Sequence, residues 1–149
     1  MADEFDLEAF LPYLLNQAAE VSSLSFQKVY RDRYGMLRAE WRVLFHLGLY
    51  GALTAKEISA RAKIHKTKIS RAVYKLEGRR FVKRVKDSAD RRVEHLHLTE
   101  KGKRAFEDLR GVAEGHERRL TDLLEAEEAE VLRRALRKLM QFPLSDTES

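Results

Sequence analysis

Apolar side chains recur three and four residues apart through Leu7, Phe10, Leu11, Leu14, Ala18, Val21 and Val29. That spacing predicts a long amphipathic helix over 6–33, ended by Gly35. Trp41, Leu44, Phe45, Leu47 and Gly48 repeat the pattern from about Arg38 to Gly51. Thr54 stands three residues before Glu57, a spacing at which each side chain can satisfy the other's orphan backbone amide, so a short helix is predicted over Ala55–Ala62. Ile64 interrupts the pattern, and a further helix is predicted from about Lys66 to Gly78, with Ile69, Val73 and Leu76 inward. Beyond Gly78 the period falls from 3.6 to 2. Phe81–Lys86 and Val93–Leu98 read as strands, joined by the turn-forming stretch Asp87-Ser88-Ala89-Asp90-Arg91-Arg92, which makes a β-hairpin with a basic tip. Thr99 caps the next predicted helix, which carries Phe106, Leu109, Ala113, His116, Leu120 and Leu123, a seam that wants another helix against it. A last helix is predicted from about Glu127 to Gln141, closed by Pro143. The first few residues and Ser145–Ser149 are expected to fray, and no internal repeat interrupts the chain.

With 149 residues, 44% hydrophobic and 36% charged, the chain is long and apolar enough for one globular domain over 1–149. It has no cysteine, which excludes a disulfide scaffold, a thiolate metal site and thiol redox chemistry. The longest apolar run, Val43 to Ala55, contains His46 and falls short of the roughly 18 residues of a membrane span. The acidic start Met1-Ala2-Asp3-Glu4-Phe5-Asp6 is unlike a basic signal segment, so a cytoplasmic protein is expected.

Charge changes the picture more than composition does. The net charge is +5, but residues 54–92 hold 14 Lys+Arg against 4 Asp+Glu, while 1–53 and 93–149 are each net acidic. A solvated face would mix both signs; here Glu77 is the one acid between Ile58 and Lys86. A polyanion is the better partner, and duplex nucleic acid, with about one charge per 1.7 Å, fits a basic stripe best.

Two short helices, a tight turn and a basic hairpin are the parts of a winged helix-turn-helix. The second helix is narrow enough for the major groove, where Thr67, Lys68 and Arg71 would face bases and Arg71 can fork onto guanine. Lys66, Ser70 and Lys75 on the same helix, with Lys56 and Lys83, complete the expected contacts to that strand pair. The tip residues Arg91 and Arg92 suit the minor groove.

In order, Ala39-Glu40-Trp41-Arg42-Val43-Leu44, Leu53-Thr54-Ala55-Lys56-Glu57-Ile58, Leu76-Glu77, Val82-Lys83-Arg84, Asp90-Arg91-Arg92 and Leu96-His97-Leu98-Thr99-Glu100-Lys101-Gly102 resemble the MarR family over about 7–142. The Asp-Arg-Arg wing leading into Leu-Thr-x-x-Gly is the most specific part. The resemblance implies a mainly α fold with a small β-wing: a winged helix-turn-helix lobe over 38–98, and N- and C-terminal helices, 6–34 and 99–142, forming a dimerisation lobe. It implies a homodimeric regulator, usually a repressor, that binds pseudo-palindromic double-stranded DNA and is released by a small aromatic or phenolic ligand. By the same resemblance Asp90 orients Arg92 as the minor-groove finger, and Arg91 contacts phosphate. Such a ligand is expected among Phe10, Tyr13, Leu14, Trp41 and Phe45. Arg80 stands where the family usually has glycine. Either Arg80 accepts a strained left-handed cap for a phosphate contact, or the helix stops early, at Gly78, and spares Arg80 that backbone; since a left-handed arginine costs about 1 kcal/mol or more, the second is expected.

Two other classes stay open: an architectural nucleic-acid binder without an effector, and a protein-interaction module using the basic face. Trp41 and His46 read first as core residues. His116 reads first as an interface histidine, and as a switch second. His95 and His97 share a strand face without a third ligand, so no metal site is expected. No nucleophile with its base, phosphate cradle or dinucleotide fingerprint is present, and neither catalysis nor a cofactor is expected.

Overall fold

The computed structural model describes residues 4–143; the terminal residues expected to fray lie outside them. Six helices and one two-stranded sheet follow in the order α1 (Leu11–Tyr34), α2 (Arg38–Tyr50), α3 (Ala55–Ala62), α4 (Lys66–Gly78), β1 (Val82–Lys86), β2 (Glu94–Leu98), α5 (Glu100–Thr121) and α6 (Ala126–Leu139). The chain packs as two compact units, Met1–Ala113 and Glu114–Ser149. No helix among the described residues is long and apolar enough to cross a membrane.

The first helix begins later than periodicity predicts. Asp6 caps a separate 3-10 turn, Leu7–Ala9, and Phe10 is extended (φ −76°, ψ 117°). Pro12 then sits in the first turn of α1, where a missing N–H breaks no helical bond. Gly35 closes α1 in the left-handed region, φ 62°. A Cβ there would also lie 2.6 Å from the Arg79 guanidinium. Thr54 and Glu57 cap α3 reciprocally, at 3.1 and 3.0 Å. At the other end of the chain α6 stops at Leu139, short of Gln141, and Leu123 lies past the end of α5, 82% exposed.

The end of α4 departs from expectation in an informative way. The helix does stop at Gly78, yet Arg80 still adopts φ 67°. Phe81 N donates to Leu76 O at 2.8 Å and Arg80 N to Glu77 O at 3.0 Å, the paired bonds of a Schellman cap with Arg80 at its left-handed position. Phe81 and Leu76, the apolar pair that accompanies such a cap, are both buried. The expectation that an earlier stop would spare Arg80 is therefore corrected: buried Phe81 and the two carbonyl bonds require the turn, and Arg80 occupies its left-handed position.

The core of the first unit gathers Tyr30, Met36, Val43, Leu44, Ile58, Ile69, Leu76, Leu96 and Leu109, all buried. The strands pair antiparallel in the register Val82↔Leu98, Arg84↔Leu96, Lys86↔Glu94, and Leu53 bridges to Leu96 on the other side of β2. Thr99 Oγ1 accepts from Gly102 N at 3.0 Å and donates to Arg80 O at 2.6 Å, tying the start of α5 to the exit of α4. Gly102 cannot carry a side chain, because the carbonyl oxygen of Phe81 lies 2.1 Å from where its Cβ would be. The Leu-Thr-x-x-Gly motif thus has a local steric reason.

In the second unit, Glu128 accepts from Glu125 N at 2.9 Å to start α6, and Arg133 reaches Glu117 at 3.4 Å. Arg119 donates to His116 Nδ1 at 3.4 Å, which makes that nitrogen the acceptor.

Candidate nucleic-acid interface

Three residues separate α3 from α4, and each is held. Lys63 turns the chain in the left-handed region (φ 55°). Ser59 Oγ donates to Ile64 O at 2.6 Å, and Arg42 donates to Ala62 O at 2.9 Å, anchoring the turn to α2. His65 caps α4: its Nδ1 accepts from Thr67 N at 3.1 Å. Nothing in the apolar pattern marks that role, although a residue with a side-chain acceptor directly before a helix is a general signal.

The α4 helix divides cleanly. Ile69, Ala72, Val73 and Leu76 are buried, so the helix is fixed against α2 and α3. Lys66, Thr67, Lys68, Ser70, Arg71 and Lys75 are all exposed. The sequence reading missed Tyr74, 74% exposed. It lies three residues after Arg71 and seven after Thr67, hence on the same face, with a hydroxyl free to bond a phosphate. Lys56 is exposed near the start of α3, and Lys83 on β1.

Carboxylates build the hairpin tip. Asp87 accepts from Ala89 N at 2.9 Å and Asp90 N at 2.8 Å, and His95 Nε2 donates to its other oxygen at 3.1 Å. Asp90 in turn accepts from the Arg92 amide at 3.1 Å and from its guanidinium at 3.1 and 3.3 Å. These bonds hold both carboxyls below the ordinary aspartate value: for Asp87 the Asp90 amide is the largest cause, and for Asp90 the Arg92 side chain. Arg92 is nonetheless 91% exposed at its side chain, and Arg91 is exposed beside it. His95 is therefore a brace for the turn. Among the described residues no group of three His, Cys, Asp or Glu could hold a metal ion.

Of the 14 cations in 54–92, Arg84 and Arg92 alone form ion pairs among the described residues, Arg84 with Glu77 at 3.1 Å and Glu94 at 3.8 Å. Arg61 lies over the Tyr50 ring at 4.6 Å, and Arg79 donates to backbone carbonyls. The lysines and Arg71 of α4 have no acidic partner to neutralise them. Such a face repels itself and is relieved by a polyanion.

The residues expected to line a ligand pocket are not gathered in one place. Trp41 and Phe45 meet edge-on at 5.1 Å, inside a cluster with Phe26, Tyr30 and Phe106. Phe10 meets Phe5 edge-on at 5.0 Å, Tyr13 accepts from Gln17 at 3.2 Å, and Leu14 is exposed. A cavity of about 580 Å³ is lined by Phe106 together with Gly48, Lys83, His97, Lys103 and Glu107. Sequence spacing could not reveal it, since its walls come from α2, both strands and α5.

A family model described as MarR family matches residues 34–93, the stretch that holds this interface. Over 106 residues the chain is 27% identical to the uncharacterized HTH-type transcriptional regulator YwaE of Bacillus subtilis (strain 168), covering 71% of this chain. The match spans 62% of that relative's length, less than two thirds. Among solved structures, a MarR family transcriptional regulator from Silicibacter pomeroyi DSS-3 is 28% identical, with a TM-score of 0.79 over 93% of this chain and 100% of that one. The Bordetella bronchiseptica regulator BpsR, whose DNA binding is regulated by 6-hydroxynicotinic acid, shares the fold at 22% identity, with a TM-score of 0.86 over 95% of this chain and 100% of that one. Residues 34–93 are thus similar to the MarR family, and the chain has the winged helix-turn-helix fold of the regulators solved for that family.

Proposed function

We propose that two copies of this chain form a homodimeric repressor that binds a pseudo-palindromic operator in double-stranded DNA and leaves it when a small aromatic or phenolic ligand binds. The observation that carries the reading is the exposed cationic face of α4, largely without acidic partners, next to a hairpin whose arginine is held out by its own aspartate. Thr67, Lys68 and Arg71 read bases in the major groove, with Tyr74, Lys66, Ser70 and Lys75 beside them; Arg92 enters the minor groove, and Arg91, Lys56 and Lys83 meet phosphates. Two such faces about one helical turn apart, 34 to 36 Å, require two half-sites.

Exposed Leu11, Leu14, Leu15, Val21 and Leu24 on α1, and Val131, Leu132 and Leu139 on α6, support dimerisation, because a second copy would cover apolar faces that water otherwise meets. For the ligand, Trp41 and Phe45 with Phe106 supply an aromatic wall, and Lys83, His97 and Lys103 around the neighbouring cavity complement a carboxylate. The relative BpsR, regulated by an aromatic acid, supports the ligand class.

The test is binding to a genomic fragment library, with and without small aromatic acids, alongside sedimentation of the free protein. A dimer, a preferred two-part site and release by one of the acids are expected. A monomer at micromolar concentration overturns the dimer. Indifference to duplex sequence favours an architectural role, and a shallow salt dependence favours a protein partner, since phosphate contacts release counterions.

A further inference from the structure

Four cations, Arg33, Arg79, Arg80 and Lys101, line a recess of about 810 Å³ where the end of α1, the exit of α4 and the start of α5 meet; no acidic side chain lines it. Three of the four have structural bonds. Arg79 donates through one nitrogen to the carbonyls of Tyr34 (2.8 Å) and Gly35 (2.5 Å). Lys101 donates to Arg79 O at 2.9 Å and lies over the Phe81 ring at 4.5 Å. Arg33 binds Asp108 through one nitrogen, at 2.8 and 3.0 Å. A guanidinium has five N–H donors and an ammonium three, so each keeps donors to spare. Arg80 is different: no carboxylate pairs with it among the described residues, and its backbone is left-handed, where glycine would sit without strain. Glycine would satisfy the same cap without strain, and the arginine that stands there instead adds an unpaired guanidinium to the recess.

We propose that this recess binds a small phosphorylated molecule carrying two or more phosphate charges. Planar guanidinium forks match phosphate oxygens, and a single carboxylate would leave most of the four charges unbalanced. The recess sits at the C-terminal end of α4, about 18 Å of helical rise from Lys66 and about 10 Å from Arg71 at 1.5 Å per residue. An occupant would bridge α1, α4 and α5 through Arg33, Arg80 and Lys101. The proposal stands independently of which operator or aromatic ligand the protein takes.

The test uses the full chain, inorganic pyrophosphate as probe, orthophosphate as the weaker comparison, and chloride to hold ionic strength constant, read by calorimetry and thermal unfolding. Arg80→Gly removes the guanidinium while keeping the cap turn, so it folds; Arg71→Ala removes a cation from the DNA-facing side. Pyrophosphate should bind the unaltered protein more tightly than orthophosphate and raise its midpoint. Arg80→Gly should weaken pyrophosphate by about tenfold or more, as loss of a charged fork does, and Arg71→Ala should leave it unchanged. No binding to the unaltered protein, or equal binding by Arg80→Gly, overturns the proposal. So does a loss in Arg71→Ala matching that in Arg80→Gly, which would place the anion on the DNA face. If Arg80→Gly lowers duplex affinity and the salt slope by about one unit, the recess contacts the DNA backbone instead, and the proposal also fails.

Discussion

Replacing Arg80 by glycine should make this protein more stable, although it deletes a charged side chain near the centre of the fold's helix junction. The cap bonds from Phe81 N to Leu76 O and from Arg80 N to Glu77 O place residue 80 at φ 67° whatever its side chain. For an L-residue that backbone costs roughly 1–2 kcal/mol, and glycine is spared it. Against the gain, glycine frees the unfolded chain by about 0.4–1 kcal/mol. The balance is a stabilisation of about 0.5–1 kcal/mol, or roughly 1–4 °C in midpoint for a domain of this size. Removing one of four like charges around the recess adds to this at low ionic strength and fades at high salt. Urea and thermal unfolding at one fixed protein concentration would measure it, with Arg80→Ala as the control. Alanine keeps the left-handed strain and loses the guanidinium, so it should gain nothing beyond the salt-sensitive part. If glycine and alanine variants prove equally stable in high salt, or if glycine is destabilising, strain at this cap is not what the geometry says it is.

Gly102→Ala should be among the most damaging single changes, by about 3 kcal/mol or more, because its methyl would meet the Phe81 carbonyl 2.1 Å away in a packed corner; chemical denaturation reads the loss. Arg71→Ala should cost about 1–3 kcal/mol in operator binding and flatten base preference, whereas Lys56→Ala or Lys83→Ala should weaken every duplex alike; competition binding over a panel of half-site variants separates the two patterns. Asp87 and Asp90 are held below 3.8 by the hairpin amides and Arg92, so hairpin order contributed by them is present above that value and lost as pH falls through their lower folded values. Hydrogen exchange at the Ala89 and Asp90 amides should show constant protection above about pH 4 and loss below it. Tyr34, half-buried and donating to Asp108 at 2.5 Å, is pushed up to about 12. Its contribution is therefore full below 10 and lost as pH rises through 12, which phenolate absorbance in the folded protein would follow.

Much of the winged helix-turn-helix lobe is legible directly because its punctuation is local. Thr54 with Glu57, Gly35 and the switch to period two each act within a few residues, and the observed α3 and α4 run over the predicted spans. Arg80 could not be read in this way. Propensity argues against a left-handed arginine, but the contrary argument comes from buried Phe81, whose place is fixed by β1 and the Thr99 corner. Tyr74 carries no signal in the sequence, because an exposed aromatic breaks no pattern. The distribution of ion pairs was equally hidden: composition shows 14 cations in 54–92, but only the folded chain shows that Arg84 faces Glu77 while Arg71 faces nothing acidic. Trp41 reads both as core and as ligand wall and Phe45 as ligand wall, while the packing of Phe26, Tyr30 and Phe106 around them depends on α1 and α5, far away in sequence.

The bonds at the exit of α4 also determine how a distant event reaches the bases. Arg79 ties that exit to the last carbonyls of α1, Lys101 ties it to the start of α5, and Thr99 holds the Arg80 carbonyl. With 13 residues, α4 is a rod of about 20 Å. Held at one end and, on the proposed function, reading DNA from the other, it would turn a rotation of about 3° at the junction into about 1 Å at Thr67 and Lys68. Hydrogen bonds to base edges weaken steeply over a few tenths of an ångström, whereas a lysine on a flexible stem follows a phosphate through such a shift. A small movement at the junction would therefore remove base preference before it removed general affinity. Raised salt acts the other way, weakening the phosphate contacts first.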